Sequence, residues 1–262
     1  MSQAPTILFD RCDHVARLTL SNPDKRNAIT YAMWQALPEC LARCEADADI
    51  RVIVLTGAGT TFCAGADISE FAEKRSDEAG VRTYENAARL ANTAFLHATK
   101  PTVALIRGAC YGAGVGLALA CDIRLASADA RFRVPAARLG LGYAFDNVTL
   151  VASRIGLAAT ADLLFSARVF DSAQGLRDGL VRQSFPDEAF AEEAESYVAR
   201  IAENAPLTLM AAKAAMSELA KTEATRDPVR VAEAVARCFS SEDYAEGRRA
   251  FAERREPQFR GS

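Results

Sequence analysis

The chain has 262 residues, of which half are hydrophobic and a quarter charged, and its formal net charge at pH 7 is −3. This composition is typical of a globular protein, and the small negative charge gives no general attraction to nucleic acid or to an anionic membrane. No run approaches the roughly 18–20 apolar residues of a membrane span, and the first residues do not resemble a signal peptide. The seven cysteines, an odd number at irregular spacings, indicate reduced thiols and therefore a cytoplasmic protein.

Hydrophobic periodicity predicts alternating strands and helices over the first two thirds of the chain and helices alone after that. Thr30 is a candidate N-cap for the first helix, and the turn 139–147 is expected to lead into a helix near Asn147. The predicted strands or extended segments are 6–9, 15–20, 51–56, 102–106, 122–126 and 131–135, with 10–14 as the first turn. The predicted C-terminal helices are 187–204, 206–222, 228–240 and 242–255.

This order predicts two parts: an α/β core over residues 1–186 and a helical region over residues 187–262. Strands that are separated by helices are expected to be parallel, with right-handed crossovers.

Two glycine-rich turns follow successive buried strands. One is Cys63-Ala-Gly-Ala-Asp67, and the other is Gly112-Ala-Gly114, which opens an apolar, Ala-rich helix. The first N–H groups of a helix have no internal partner and lie at the positive end of its dipole. If the two strands are neighbours, the turns lie side by side, and two backbone N–H groups could stabilise one oxyanion. Close packing of a helix against a strand would explain the second turn equally well.

Other glycine motifs fit less well. The spacing Gly112-x-Gly114-x-Gly116 brings the third glycine of a dinucleotide fingerprint one position early. The chain contains no P-loop motif, no Gly-x-Ser-x-Gly nucleophile elbow and no cluster with metal-ligand spacing.

Several ordered motifs resemble the enoyl-CoA hydratase/isomerase (crotonase) superfamily, and the resemblance runs from about residue 6 to the end of the chain. The most specific is Phe62-Cys-Ala-Gly-Ala-Asp-Ile68, together with the Gly112-Ala-Gly114 turn and Cys121-Asp122-Ile123. Further matching segments are 22–28, 100–101, 204–206, 241–247 and 251–260.

The resemblance implies a ββα-spiral core, a C-terminal helical region that trimerises, often a dimer of trimers, and an acyl-CoA thioester as the ligand. It implies no cofactor beyond the coenzyme A of the substrate. By position, the N–H groups of Ala66 and Ala113 would bind the thioester oxygen, with Gly112 and Gly114 shaping the second turn. The residues that would contact the CoA moiety are Lys25 and Arg26 near its phosphates, Ala64, Asp67 and Ile68 near its adenine, and Arg255 and Phe259 from a neighbouring subunit.

The sequence departs from the family pattern at two positions. Hydratases of the family use two glutamates to position and split water, and here those positions carry Gly116 and Ala136. Such acid–base groups are worth about 10²–10⁴-fold each in rate, and an oxyanion-hole donor about 10²–10³-fold. The pattern therefore predicts that enolate stabilisation is retained and that the groups which handle water are lost.

The turn 139–147 supplies the remaining candidates for proton transfer. Tyr143 matches a tyrosine of a decarboxylase branch of the superfamily that acts on methylmalonyl-CoA, although that branch has a histidine where this chain has Ala66. Asp146 is either a catalytic base or the cap of the following helix, and Tyr143 is either a proton donor or part of the pocket wall. Arg138 either pairs with a substrate carboxylate or lies on the surface.

Three functions stay open from the sequence. The first is an enzyme that works through a CoA-thioester enolate without the two glutamates, as an isomerase, a decarboxylase or a C–C lyase. The second is a weak or atypical 2-enoyl-CoA hydratase. The third is a non-catalytic acyl-CoA binding protein.

Overall fold

The computed structural model describes residues 4–262, which form two β-sheets surrounded by helices. The strands are β1 (Thr6–Cys12), β2 (Val15–Ser21), β3 (Val52–Gly57), β4 (Thr102–Ile106), β5 (Ala109–Tyr111), β6 (Ile123–Ser127), β7 (Arg131–Arg133), β8 (Phe170–Asp171) and β9 (Gln183–Phe185). The helices are α1 (Tyr31–Ala46), α2 (Phe71–Lys74), α3 (Glu78–His97), α4 (Ala113–Ala120), α5 (Phe145–Ala161), α6 (Ser172–Arg177), α7 (Phe190–Ala202), α8 (Pro206–Leu219), α9 (Pro228–Phe239) and α10 (Glu242–Glu253).

The larger sheet has the strand order β1-β2-β3-β4-β6-β9, and the smaller one has the order β5-β7-β8. β1 and β2 form an antiparallel hairpin, and every later pair in the larger sheet is parallel, as predicted for strands joined by helices. β3 and β4 are direct neighbours, with Ile53 opposite Thr102. The ends of these two strands therefore lead into the two glycine turns on the same side of the sheet.

The first hairpin is longer than predicted. Its strands continue to Cys12, which pairs with Val15, so only Asp13 and His14 form the turn, whereas the sequence indicated a turn over 10–14. Asp13 has a φ of 49°, a left-handed conformation that aspartate tolerates better than most residues. The polar residues at the end of β1 were read as a loop, but an exposed edge strand is commonly polar.

The larger sheet is covered by apolar side chains on both faces, which alternate along each strand. In β3, Ile53 and Leu55 join the main core with α1, α3 and α4, whereas Val52 and Val54 face α7. Full burial of such a side chain contributes roughly 1.5–3 kcal/mol. The sheet is thus held between two layers, and the site lies on the main-core side.

The C-terminal helices were predicted closely, and each differs from its expected bounds by three residues or fewer at either end. The predicted boundary at 186 and 187 follows the last strand, β9. However, Phe190, Ala194 and Val198 of α7 pack on the sheet, so this helix shares the apolar core of the α/β part. The helices α8, α9 and α10 follow α7 in the chain and contribute no residue to this apolar cluster.

One helical stretch, Phe145–Ser166, is long and apolar enough to cross a membrane by length and composition alone. It includes α5, whose path is interrupted at Gly156 with a φ of 75°, and Leu150 and Val151 pack into the main core. Charged residues also occur within the stretch, as the sequence shows at Arg154. Core helices of globular proteins pass the same length test, so the feature is weak evidence for a membrane span.

Candidate functional site

The two glycine turns contact each other directly. Cys63 donates its backbone N–H to the carbonyl of Ala109 at 2.9 Å, and Tyr111 donates to the carbonyl of Cys63 at 2.9 Å. A Cβ added to Gly112 would lie 4.0 Å from the Cα of Gly65. The predicted proximity of the turns is therefore confirmed, and the short strand β5, which the sequence did not predict, makes the connection.

The backbone N–H of Ala66 is left free by the way its neighbours are bonded. Ile29 donates to the carbonyl of Gly65, and Asp67 donates to the carbonyl of Ile29, both at 2.8 Å. This pattern makes Ala66 the central residue of a parallel bridge, so its own N–H points away from Ile29. Within residues 4–262 that N–H has no backbone acceptor.

Ala113 is the first residue of α4, a position at which a helical N–H has no partner inside the helix. The preceding Gly112 has a φ of 46° and donates its N–H to Arg133, which places the start of α4 at the turn. Gly114 is needed for packing, because a Cβ at this position would lie 2.8 Å from the Cβ of Cys63. Gly112 and Gly114 thus position the N–H of Ala113 beside the Cys63–Asp67 turn.

Both alanines line one cavity of about 610 Å³ between the turns, α3 and the start of α5. Gly116 and Ala136 also line this cavity, so the two positions that lack the expected glutamates lie at the site itself. The sequence-predicted residues that line it are Ala64, Ala66, Ile68, Gly112, Ala113, Tyr143 and Asp146.

Tyr143 lies in the cavity wall, and burial raises the pKa of its hydroxyl to about 12. The hydroxyl is therefore protonated at neutral pH and can donate a hydrogen bond or a proton. The hydroxyl makes no hydrogen bond to any described residue. Arg138, the other candidate near this turn, is exposed and is not among the residues that line the cavity.

Asp146 does not cap α5, which corrects one of the two roles open from the sequence. The helix begins at Phe145 rather than near Asn147, and its N-cap is Ala144, which makes no side-chain capping bond. Asp146 lies within the first turn, where a carboxylate is favoured by the helix dipole. Of the two carboxylates that line the cavity, Glu85 is paired with Arg75 at 2.9 Å, and Asp146 has no ion-pair partner in the described chain.

The loop with the two adjacent cations packs on the first glycine turn. Lys25 donates to both carboxylate oxygens of Asp67, at 2.8 and 3.1 Å, and to the Ser69 hydroxyl at 2.6 Å. Burial alone would raise the pKa of Asp67, but the hydrogen bonds from Lys25 and Ser69 outweigh it and lower this pKa below its usual value. Arg26 is exposed, and its carbonyl accepts the N–H of Ala64 at 3.0 Å. Lys25 and Arg26, predicted near the CoA phosphates, therefore lie next to Asp67 and Ala64, predicted near the adenine.

Lys25, Arg26, Asp67 and Gly114 are not among the residues that line the cavity. The N–H groups of Ala64 and Asp67 are used within the chain, which leaves carbonyl oxygens to meet a ligand at this turn. Ile68 is 67% exposed and lies where the cavity meets solvent.

Arg255 and Phe259 lie far from this cavity along the chain and do not line it. Arg255 donates to both carboxylate oxygens of Glu246, at 2.6 and 3.0 Å, and to Glu253 at 2.7 Å. The hydrogen bonds from Arg255 lower the pKa of Glu246 strongly. The ring of Phe259 lies against Gly247, within 3.6 Å of where a Cβ would be. Their expected contact with a ligand in a neighbouring subunit stays a prediction.

Several polar residues that line the cavity were missed by the sequence analysis, among them Asn92 and Arg75. Asn92 is 9% exposed, and Arg75 stacks its guanidinium on Phe71 and Tyr84, at 4.6 and 5.1 Å from the ring centroids. Asn92 Oδ1 and Arg75 Nε are the buried side-chain polar atoms without a hydrogen-bond partner in the described residues. The signal for Asn92 was its position between Ala91 and Phe95 in the buried stripe of α3, where a polar residue is unusual.

Among residues 4–262, no group of three or more His, Cys, Asp or Glu side chains is placed to hold a metal ion. The groups that line the cavity include the backbone of Ala66 and Ala113, the Asp146 carboxylate and the Tyr143 hydroxyl, which are of the kinds that donate hydrogen bonds or transfer protons.

Comparison with known proteins agrees with this geometry. The family model for enoyl-CoA hydratase/isomerase matches residues 10–262. A probable enoyl-CoA hydratase from Bacillus subtilis is 35% identical over 252 residues, covering 94% of this chain and 95% of that protein. The mitochondrial Delta(3,5)-Delta(2,4)-dienoyl-CoA isomerase of Mus musculus is 32% identical over 215 residues, covering 76% of this chain and 64% of that protein. A crystal structure of an enoyl-CoA hydratase/carnithine racemase from Magnetospirillum magneticum superposes with a TM-score of 0.92 at 32% identity, covering 98% and 96% of the two chains.

The sheet order and the superposition on solved structures show the crotonase fold, and Ala66 and Ala113 line one cavity in it. The chain belongs to the enoyl-CoA hydratase/isomerase family. Members of this family are enzymes that act on CoA thioesters, mostly hydratases with some isomerases. The resemblance seen in the sequence is thereby confirmed, as is the fold that it implied.

Proposed function

We propose that this chain binds the oxygen of an acyl-CoA thioester between the N–H groups of Ala66 and Ala113 and stabilises the enolate formed from it. The observation that supports this is the pair of backbone donors without intrachain acceptors at two touching turns, both on one cavity. Preorganised donors of this kind stabilise charge that develops in a transition state, and each is worth about 10²–10³-fold in rate.

The favoured reaction is a double-bond isomerisation, a decarboxylation or a C–C cleavage rather than efficient hydration. All three pass through a thioester enolate, and none needs a pair of carboxylates to activate water. Gly116 and Ala136 cannot transfer protons, and they lie on the cavity. The names of most similar proteins support the second candidate, a 2-enoyl-CoA hydratase, which in this chain would rely on Asp146 alone.

Proton transfer is assigned to Asp146 and Tyr143. Asp146 lines the cavity and has no ion-pair partner among the described residues, so its carboxylate is placed to accept a proton from the acyl group. The Tyr143 hydroxyl is held in its protonated form by burial and is suited to donate one. In an isomerisation, the proton leaves C2 of a 3-enoyl group, the electron pair moves to the thioester oxygen, and a proton returns at C4.

Crotonyl-CoA separates these functions. We expect this conjugated ester to be hydrated far more slowly than 3-enoyl-, malonyl- or methylmalonyl-CoA is converted, as measured by loss of enoyl absorbance and by chromatography of the products. Rapid hydration of crotonyl-CoA would overturn the proposed reaction class and favour the hydratase. Tight binding of every ester with no turnover would instead favour a non-catalytic acyl-CoA binding protein.

Replacement of Asp146 by asparagine tests the proposed base. The amide preserves shape but cannot accept the proton, so kcat on the best ester of this panel is expected to fall by about 10²-fold or more with KM little changed. Glu85→Gln is the matched control, because Glu85 is the other carboxylate on the cavity and is already paired with Arg75. Equal turnover by Asp146→Asn and the wild type would remove Asp146 from the mechanism.

For the CoA moiety, Lys25 and Arg26 are assigned to the phosphates and the backbone of Ala64, Asp67 and Ile68 to the adenine. The support is that the two cations lie on the loop that hydrogen-bonds to the first glycine turn. Lys25 is held in place by Asp67, and its side chain is still 47% exposed. A cation that is both oriented and accessible is well suited to an anionic phosphate. No cofactor beyond coenzyme A is invoked.

Self-association through the last three helices, as a trimer or a dimer of trimers, also belongs to this proposal. An open, mostly apolar groove of about 860 Å³ lies between α8, α9 and α10. Phe239 and Phe251 beside it are 63% and 88% exposed. Exposed apolar surface of this extent is characteristic of protein interfaces. Phe259 lines this groove and Arg255 lies with Glu246 on the surface next to it, and both would reach a neighbouring subunit from there.

The oligomer is tested by light scattering on the purified protein. We expect a mass of three or six chains for the wild type and of one chain for Phe251→Asp, because a charge cannot be buried unpaired in an apolar interface. Phe165→Asp, at a phenylalanine 82% exposed outside this groove, should retain at least three chains. A monomeric wild type would contradict the proposed assembly.

The cytoplasmic location is part of the same proposal. All seven cysteines are free thiols, and four of them, Cys44, Cys63, Cys110 and Cys121, are buried. Burial raises the pKa of the Cys63 and Cys121 thiols to about 12, so both are protonated and unreactive at neutral pH. Such thiols suit a reducing compartment.

A further inference from the structure

Asn92 presents an unsatisfied amide to the cavity. The side chain lies on α3, is nine-tenths buried and lines the cavity wall. Its Oδ1 is buried and accepts no hydrogen bond from the described residues. Buried amides are almost always hydrogen-bonded in folded proteins, so one that is not is a candidate for contact with a ligand.

The neighbouring Gly116 leaves space beside this amide. A Cβ built on Gly116 would meet only Asn92, with Nδ2 at 3.6 Å and Oδ1 at 3.9 Å, which are ordinary contact distances. Gly116 has no left-handed backbone conformation and lies inside α4, where glycine is a poor helix former. Packing therefore does not require a glycine at position 116. The absence of a side chain there leaves the cavity wall open next to Asn92.

This opening lies close to the reacting end of the proposed ligand. Gly116 follows Ala113 by three residues, about one helical turn, so both lie on the same side of α4. A thioester oxygen that is bound by the N–H of Ala113 places the first carbons of the acyl group beside Gly116. Ala136, on the same cavity, adds no polar group of its own.

We propose that the Asn92 amide hydrogen-bonds an oxygen substituent on the β-carbon of the acyl group, which makes the site selective for β-oxygenated acyl-CoA esters. This inference rests on the proposed function, because it assumes that the thioester is bound at Ala113. Oδ1, the buried atom without a partner, can accept a hydrogen bond from a hydroxyl on the β-carbon, and Nδ2 can donate to a hydroxyl or a carboxylate oxygen. A site built to hydrogen-bond a substituent discriminates strongly against the analogue that lacks it, because its polar group is then left unpaired.

The test is calorimetric titration of the full-length protein with butyryl-CoA, 3-hydroxybutyryl-CoA and malonyl-CoA. The hydroxyl and carboxylate arms distinguish the two sources of the oxygen. We expect the wild type to bind at least one of the oxygenated esters about 10-fold or more tightly than butyryl-CoA. In Asn92→Leu this preference should vanish through weaker binding of the oxygenated ester, with the affinity for butyryl-CoA changed less than about threefold. If the role of Asn92 were merely structural, Asn92→Leu would weaken the binding of all three esters to a similar extent.

Asn86→Leu is the matched control, since Asn86 is on the same helix, also lines the cavity and is bonded to Arg89 at 2.6 Å. It should keep the wild-type preference. Gly116→Ala leaves the Asn92 amide unchanged but adds a methyl group in the opening beside it, so it should reduce the preference for the oxygenated ester. It provides a second variant if Asn92→Leu fails to fold. Equal affinities in the wild type, or a preference that survives in Asn92→Leu, would overturn the inference and leave the proposed function intact. Failure of every ester to bind would overturn both.

Discussion

Ala113→Pro is expected to reduce turnover by about 10³-fold or to background while the protein stays folded. Ala113 is the first residue of α4, where proline is well tolerated because the N–H it removes has no helical acceptor. The same N–H is the proposed donor to the thioester oxygen. The proline ring both removes this donor and places a methylene in its position, so the oxygen loses a hydrogen bond and its close approach. Loss of one oxyanion donor alone costs about 10²–10³-fold.

The measurement is kcat and KM on the best ester of the panel, with circular dichroism and thermal unfolding to verify the fold. Ala113→Gly is the control, because it keeps the N–H and removes only the Cβ, and it should retain turnover within about tenfold. The corresponding change at Ala66 should have a similar effect if the two donors share one oxygen. A folded Ala113→Pro protein with near wild-type kcat would refute the oxyanion role of this residue.

Lys213→Met is expected to lower the free energy of unfolding by about 3–5 kcal/mol. The Lys213 side chain is 4% exposed, and its ammonium donates to Asp122 and to the carbonyl of Lys100, both at 2.7 Å. These contacts join α8 to the start of β4 and to the end of the segment that carries α4. Methionine fills the same volume but leaves the Asp122 carboxylate and the Lys100 carbonyl without this donor.

Urea unfolding at a fixed protein concentration measures the effect, since association with other copies would shift apparent stability. Arg82→Met is the control, because Arg82 and its partner Glu78 are both largely exposed and such pairs contribute about 0–1 kcal/mol. The double change Lys213→Met with Asp122→Asn should recover part of the loss, since it also removes the uncompensated charge. A loss below about 1 kcal/mol in Lys213→Met would show that α8 is not anchored by this ion pair.

The part of the site that could be predicted from sequence is the part made by local backbone. The turns Cys63–Asp67 and Gly112–Gly114 are recognisable because a few small residues after a buried strand permit a close approach of two backbones. Whether β3 and β4 are neighbours was left open by the sequence, although consecutive strands joined by a helix are commonly adjacent, and the structure shows that they pair. Ala66 and Ala113 were predicted as site residues because they lie on these turns.

The polar side chains of the site were harder to predict. The sequence left two roles open for Asp146, catalytic base or helix cap. The start of α5 at Phe145 excluded the role of cap. Helix boundaries differ by a residue or two for the same local sequence, because they depend on what the helix packs against. Asn92 was missed because its position on α3 predicts burial but not what it meets, which is Gly116, 24 residues away in the chain.

The sequence by itself indicated the family, the division into an α/β part and a C-terminal helical part, the glycine turns and the absence of glutamate at positions 116 and 136. These are properties of residue identity and of contacts between near neighbours, which a periodic pattern encodes. Only the tertiary structure decided that Gly116 and Ala136 line the cavity and that Asn92 has no partner. It also decided that Arg255 is bound to Glu246 and that α7 belongs to the core. Those facts depend on which distant segments meet, and this is set by packing of the whole chain rather than by any local stretch.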